Sequence, residues 1–84
     1  MPANIEIFNM PRRYTPREVE RIVRRLGWEF SHQTGSHVIY TKPGFSHVVI
    51  PESRSQVRVG TLASVCRQLG VTRFEFDKIA LEVL

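Results

Sequence analysis

The chain has 84 residues, of which 42% are hydrophobic. This size and composition suit one globular domain over residues 1–84 and argue against an intrinsically disordered protein. Twelve Lys and Arg residues against eight Asp and Glu give a net charge of +4, and only two of the twelve are lysines. Because arginine binds phosphate oxygens with two parallel donors, nucleic acid is the leading class of partner, with a merely solubilising surface as the alternative. The single Cys66 excludes an internal disulfide, and no apolar run is long enough to cross a membrane, so a cytoplasmic protein is expected.

The first clear helix begins after residues 1–14, which lack a periodic pattern and are interpreted as an N-terminal arm, either loose or a short extra strand. In the sequence "TPRE", Thr15 suits the N-cap position and Glu18 suits the capping-box position. The apolar residues that follow recur on one helical face: Val19, Ile22, Val23 and Leu26. Gly27 is a typical C-terminal stop, so the pattern predicts a helix over 16–26.

Three short runs rich in β-branched and aromatic residues come next: "WEFSHQ", "HVIYT" and "HVVIP". The turns "TGS" and "KPGF" separate them, which predicts a three-stranded antiparallel sheet. Trp28 and Phe30 are two residues apart and are expected to share a sheet face under the helices, with an RNA-stacking platform as the alternative. His47 begins the third strand, where an exposed cross-strand position is expected and an approach to His37 is the alternative.

The second half of the chain carries two more helix patterns after a polar loop over 52–58. One apolar face runs from about 59 to 69, and Thr72 with Glu75 repeats the capping box before a short C-terminal helix. Each helix must bury its apolar face, and a sheet with both main helices on one side achieves this. We therefore predict an α+β fold with the order α-β-β-β-α, plus a short C-terminal helix, and one open sheet face.

His37 directly follows the turn "TGS" at the start of the second strand. One interpretation is a half-buried histidine whose imidazole forms a hydrogen bond with a neighbouring backbone group. The other is a general acid and base, because an imidazole can take up and return a proton near neutral pH. The three histidines, His32, His37 and His47, do not have the spacing of a local zinc chelate, so neither a metal site nor a cofactor is predicted.

Several of these residues occur together in a known pattern. From Val19 to Leu69 the chain resembles the HicA, or YcfA-like, family of toxin mRNA interferases, through "LGWEFSHQTGSHVIY", a strand ending at Pro51 and "GTLASVCRQLG". The resemblance implies a fold like a double-stranded-RNA-binding domain and ribosome-independent cleavage of mRNA without a metal. It also implies that His37 is catalytic and that the partner is a HicB antitoxin, which masks the active site.

The residues interpreted as RNA-binding lie within the motifs of this pattern or between them. Ser36 belongs to the turn, Lys42 to a hairpin tip, and the polar loop and the next helix supply the rest: Arg54, Arg58, Gly60 and Thr61. Free backbone amides at Gly60 and Thr61 suit a phosphate, and the same two residues equally suit the shaping of a turn. The arginines of helix one that share a face, Arg17, Arg21 and Arg24, suit RNA, an acidic antitoxin, or a solvated face with a Glu20–Arg24 pair.

Three positions depart from the residues that many relatives carry. Val38 replaces a second histidine, His32 replaces an arginine, and Val59 replaces a lysine. These departures keep two further hypotheses open beside the enzyme. One is a non-catalytic or decayed RNA-binding module of the same fold, and the other is a docking protein whose basic face serves an acidic antitoxin.

Overall fold

The computed structural model describes residues 12–84, so most of the predicted N-terminal arm, residues 1–11, lies outside the described residues. The elements in chain order are α1 (Pro16–Arg25), β1 (Glu29–Thr34), β2 (His37–Thr41), β3 (Val48–Pro51), α2 (Val59–Leu69) and α3 (Arg73–Val83). This order confirms the predicted α+β fold, its α-β-β-β-α arrangement and the added C-terminal helix.

Capping interactions fix the start of α1 as the sequence predicted. The Thr15 hydroxyl accepts a hydrogen bond from the Glu18 backbone N–H, and the Glu18 carboxylate accepts one from the Thr15 N–H at 2.9 Å. Leu26 is the C-cap, so α1 ends one residue earlier than predicted. Gly27 then has a φ of +93°, a conformation that favours glycine, and it turns the chain towards the sheet.

The sheet has the strand order β1-β2-β3 with both pairs antiparallel. Val38 lies opposite Ile50, and Tyr40 lies opposite Val48; all four side chains are buried in the core. Because side chains alternate along a strand, His37 and Ile39 point to the other face of the sheet. The sheet therefore has one face packed on helices and one face free of them.

The core lies between that sheet face and the helices. Helix α1 contributes Val19, Ile22 and Val23, and α2 contributes Leu62, Val65, Cys66 and Leu69. Both main helices therefore cover the same face of the sheet, as predicted. Helix α3 adds Phe76 and Ala80, both fully buried.

Tyr14 extends the core beyond what the sequence pattern indicated. The sequence assigned it to an arm, but its ring is only 1% exposed and meets Phe76 edge-to-face with ring centroids 5.2 Å apart. Its hydroxyl donates a hydrogen bond to the Asp77 carboxylate. The chain is thus anchored to α3 before α1 begins.

The prediction that Phe30 packs under the helices is wrong, whereas Trp28 does lie in the core. Trp28 precedes β1 and is 3% exposed, but Phe30 is 51% exposed and every residue of β1 is exposed. Two causes combine: β1 is an edge strand, and a bulge between Phe30 and His32 shifts its register against β2. Within residues 12–84, no helix is long and apolar enough to cross a bilayer.

Candidate functional site

His37 is the first residue of the central strand and lies on the helix-free face of the sheet. It stands opposite Thr34 of β1 and Pro51 of β3. The side chain is exposed, and within the described part of the chain it makes no hydrogen bond. Its imidazole is therefore accessible to a ligand that approaches the open face. The sequence left undetermined which face of the sheet His37 occupies, and the structure places it on the helix-free one.

The turn before His37 is tied to the start of the polar loop. Gly35 has a φ of +59°, and its carbonyl accepts a hydrogen bond from the Gln33 side chain at 2.9 Å. The carbonyl of Ser36 accepts a hydrogen bond of 2.7 Å from the Glu52 N–H. These bonds fix the backbone that leads into His37, and they place the loop over 52–58 beside it.

A small cavity of about 70 Å³ opens next to Pro51, which is the cross-strand neighbour of His37. Its lining includes three of the predicted RNA-binding residues: Arg54, Arg58 and Thr61. Gly60 precedes Thr61 in the first turn of α2, where the N-cap residue Arg58 forms no side-chain capping bond. Five of the six predicted RNA-binding residues, counting Ser36, thus lie at the same end of the sheet as His37.

Lys42 is the sixth, and the structure does not bring it to this end. Its ammonium group donates a hydrogen bond of 2.9 Å to the carbonyl of Leu26 and lies 5.3 Å from the centre of the Phe45 ring. Lys42 follows the far end of β2, five residues and roughly 16 Å along the strand from His37. A contact between Lys42 and RNA phosphate stays a prediction, but one remote from His37.

His47 also lies at that far end. It precedes β3, whose first residue Val48 pairs with Tyr40, whereas His37 pairs with the last residue, Pro51. The alternative in which His47 approaches His37 is therefore wrong, because antiparallel pairing puts the two histidines at opposite ends of β2. No group of three His, Cys, Asp or Glu side chains suited to a metal ion occurs within residues 12–84.

Most arginines of the protein are engaged by other groups. The predicted pair of Arg24 with Glu20 is present at 3.9 Å, Arg21 donates to the carbonyl of Val83, and Arg25 pairs with Glu82. Arg67 contacts Ser64, and Arg73 contacts Asp77. Arg12 lies over the ring of Tyr14.

Among residues 12–84, four arginine side chains form neither a hydrogen bond, an ion pair nor a cation–π contact: Arg13, Arg17, Arg54 and Arg58. We name these four residues the arginine cluster, because they line neighbouring clefts that all include Arg54. Composition could not reveal this cluster, since the sequence does not show which arginines have partners.

A pair of carboxyl groups lies beside the cluster, between α1 and the end of β3. Glu20 accepts a hydrogen bond of 2.7 Å from the hydroxyl of Tyr40. The adjoining Glu20 carboxyl, followed by burial, raises the pKa of Glu52 above its ordinary value, and Arg17 opposes this shift. Burial first, and then the bond to Glu20, also raise the pKa of the Tyr40 hydroxyl.

The raised pKa of Glu52 predicts how a Glu52→Gln variant responds to pH. A carboxyl whose pKa is higher in the folded state favours folding while it is protonated and loses this contribution as pH rises through that pKa. At pH 7 the variant should therefore be more stable than the wild type by about 0.5 kcal/mol, which is a rise in Tm of about 2–4 °C. The gain should shrink towards pH 4, and thermal melts at both values check this. An equal gain at both values would contradict repulsion between Glu20 and Glu52.

The "GSH" turn, His37 on the open sheet face and the loop arginines all lie between residues 35 and 58, at the same end of the sheet. A protein-family model for the HicA toxin of bacterial toxin–antitoxin systems matches residues 16–71, from the start of α1 to just beyond α2. The chain belongs to the HicA toxin family. The resemblance seen in the sequence is therefore confirmed. No curated protein shows significant similarity to the chain.

Family membership makes this protein the toxin of a toxin–antitoxin pair, and hence the partner of an antitoxin. The matched region of this HicA-family protein contains His37, Pro51, Arg54 and Arg58. Helix α3 begins after the matched region, at Arg73, and Arg13 precedes it. The candidate residues that the sequence singled out thus fall within the matched region, whereas Arg13 does not.

Proposed function

We propose that this HicA-family toxin is an endoribonuclease that cuts mRNA without a metal ion and uses His37 as its general acid and base. The observation that carries the proposal is the position of His37, an exposed imidazole next to Pro51 and the cavity that Arg54 and Arg58 line. A proton acceptor and cations that lack internal partners are the groups that cleavage of a phosphodiester requires.

In the proposed reaction, His37 is the only residue that transfers protons. The neutral imidazole accepts the proton of a ribose 2′-hydroxyl, and the 2′-oxygen forms a bond to the adjacent phosphorus. The bond from phosphorus to the 5′-oxygen of the next nucleotide then breaks. The imidazolium returns the proton to that oxygen, so the products are a 2′,3′-cyclic phosphate and a 5′-hydroxyl.

Negative charge grows on the phosphate oxygens during this reaction. Arg54 and Arg58 are candidates to stabilise it, because a guanidinium donates charge-assisted hydrogen bonds to phosphate. The amides of Gly60 and Thr61 at the start of α2 add a partial positive charge at the same end of the sheet. Ser36 contributes by fixing the turn through its carbonyl bond to Glu52.

The proposed cellular setting follows from family membership. The antitoxin would be of HicB type and would inhibit the toxin by covering the open face around His37. The single cysteine, Cys66, is buried and unpaired, which is in keeping with a cytoplasmic protein.

The test of the proposed function is an RNA cleavage assay in the presence of EDTA. We expect the purified protein to cut a long single-stranded RNA under these conditions and to leave 2′,3′-cyclic phosphate ends. Treatment with a phosphatase before and after acid hydrolysis of the cyclic ester identifies those ends. Intact RNA at every protein concentration, with the protein folded by circular dichroism, would contradict the proposal.

A second candidate function is RNA binding without cleavage, and one observation favours it. Val59 is 42% exposed at the start of α2, so the replacement of a lysine there removes a surface cation near the proposed site. The departure at Val38 argues less strongly. Val38 is 2% exposed and faces the helices, so a second histidine at this position would point away from the face of His37.

A further inference from the structure

The arginine cluster covers a larger surface than cleavage at His37 alone requires. A groove of about 750 Å³ runs between α1 and the polar loop, with Arg17 and Arg54 among its lining residues. A second cleft of about 470 Å³ has Arg13, Arg54 and Arg58 in its lining. Both share Arg54 with the small cavity beside Pro51, the cross-strand neighbour of His37.

The donors of Arg13 and Arg17 are available to a ligand. Both side chains are exposed, and no described residue accepts a hydrogen bond from either. Elsewhere the fold uses its arginines to hold elements together, as Arg21 and Arg25 join α1 to α3. Guanidinium groups on one surface that have no partner within residues 12–84 suit a ligand with repeated negative charges, and the phosphates of a nucleic acid strand have that property.

Two carboxyl groups in the larger groove weaken its positive charge without cancelling it. Glu20 is already engaged by Tyr40 and Arg24. Glu52 is held next to Glu20, which makes its ionised form less favourable. The same groove contains four arginines, namely Arg17, Arg21, Arg24 and Arg54, so positive charge is in excess.

We propose that Arg13 and Arg17 extend the cleavage site by binding RNA phosphates beyond the one that is cut at His37. This inference rests on the proposed function for its position relative to the reaction. RNA is favoured over an acidic protein because Arg54 lines both clefts and also the cavity beside Pro51, the cross-strand neighbour of His37, so one strand bound along them would pass the same arginine. Substrate length then determines how efficiently the enzyme cuts.

The first measurement compares a long single-stranded RNA with a dinucleotide that contains one phosphodiester. In the double variant Arg13→Gln/Arg17→Gln, kcat/KM for the long RNA should fall about tenfold, because two phosphate contacts are lost. Cleavage of the dinucleotide should be unchanged, because it is too short to reach these side chains. Equal rates of variant and wild type on the long RNA would overturn the inference.

The second measurement is binding, which does not depend on cleavage. Fluorescence anisotropy with a labelled single-stranded RNA, in a His37→Ala background, gives the dependence of affinity on salt. The slope of log K against log[salt] should fall in magnitude by about 1.4 when Arg13 and Arg17 are replaced, because each phosphate contact on a single strand contributes about 0.7. An unchanged slope would overturn the inference even if the enzyme cuts RNA.

A matched control separates local contacts from net charge. The double variant Arg25→Gln/Arg67→Gln loses the same charge, but these side chains contact Glu82 and Ser64, away from the clefts. It should retain both the affinity and the cleavage rate of the wild type on long RNA. If this control weakens binding as much as the first variant, or if the first variant loses only antitoxin binding, the inference is wrong. A wild type that cuts neither substrate but shows the predicted change in salt slope rejects the proposed function and supports the phosphate-binding surface.

Discussion

A His37→Ala variant should lose between about a hundredfold and ten-thousandfold in the rate of RNA cleavage, which is the usual contribution of a general acid and base. The loss should appear in kcat, while the Kd for RNA changes little, because the cations that contact phosphate remain. The fold should be retained, since the side chain is exposed and packs against no part of the core. Single-turnover cleavage and anisotropy on the same RNA measure the two quantities.

The matched control for this prediction is His47→Ala. His47 is also exposed, but it precedes β3 at the end of the sheet remote from His37. The His47→Ala variant should leave the rate of RNA cleavage unchanged. This result would exclude a general effect of removing an imidazole from the surface. A folded His37→Ala protein that cuts RNA at the wild-type rate would contradict catalysis by this residue and would direct attention to Arg54 and Arg58.

The relative placement of the candidate residues follows from the antiparallel sheet that the sequence predicts. The end of β3, and with it the loop of Arg54 and Arg58, lies beside the start of β2, where His37 stands. Lys42 is only five residues from His37, but the length of β2 separates the two side chains, which closeness in sequence conceals. Arg17 was considered for RNA contact together with Arg21 and Arg24, whereas Arg13 was not. Only the structure reveals that Arg13 and Arg17, unlike Arg21 and Arg24, have no partner within residues 12–84.

The fold was predicted well where local signals decide it. The capping boxes at Thr15 and Thr72 are both formed as expected. Two errors came from tertiary effects instead. Phe30 is exposed because β1 lies at an edge and carries a bulge, and Tyr14 is buried because it meets residues of α3 more than sixty positions away. Neither effect leaves a periodic pattern in the sequence.

Helix α3 lies outside the region that the family model matches, yet it completes the core of this protein. Phe76 is fully buried and meets the ring of Tyr14, while Ala80 faces the same cluster. Arg21 and Arg25 bond the exposed side of α3 to α1. The region that the family model matches and the folding unit therefore do not coincide, and α3 is expected to be needed for folding.

A Phe76→Ala variant tests this expectation and should show the largest loss of stability of any substitution discussed. Removal of a buried phenylalanine side chain typically costs about 3–5 kcal/mol, because apolar contacts are lost and a cavity remains. A domain of this length has a total stability of only about 4–12 kcal/mol. The variant should therefore unfold at a much lower urea concentration than the wild type, or be largely unfolded in buffer.

Phe74→Ala is the control, because Phe74 lies on the same helix but is 76% exposed. The two variants remove the same atoms and change helix propensity equally, so the difference between their free energies of unfolding measures burial alone. We expect Phe74→Ala to stay within about 0.5 kcal/mol of the wild type in urea titrations. Similar losses for both variants would contradict the packing of α3 on Tyr14. A large loss for Phe76→Ala alone would show that a toxin truncated to residues 16–71 lacks part of its core, and that any cleavage assay must use the full chain.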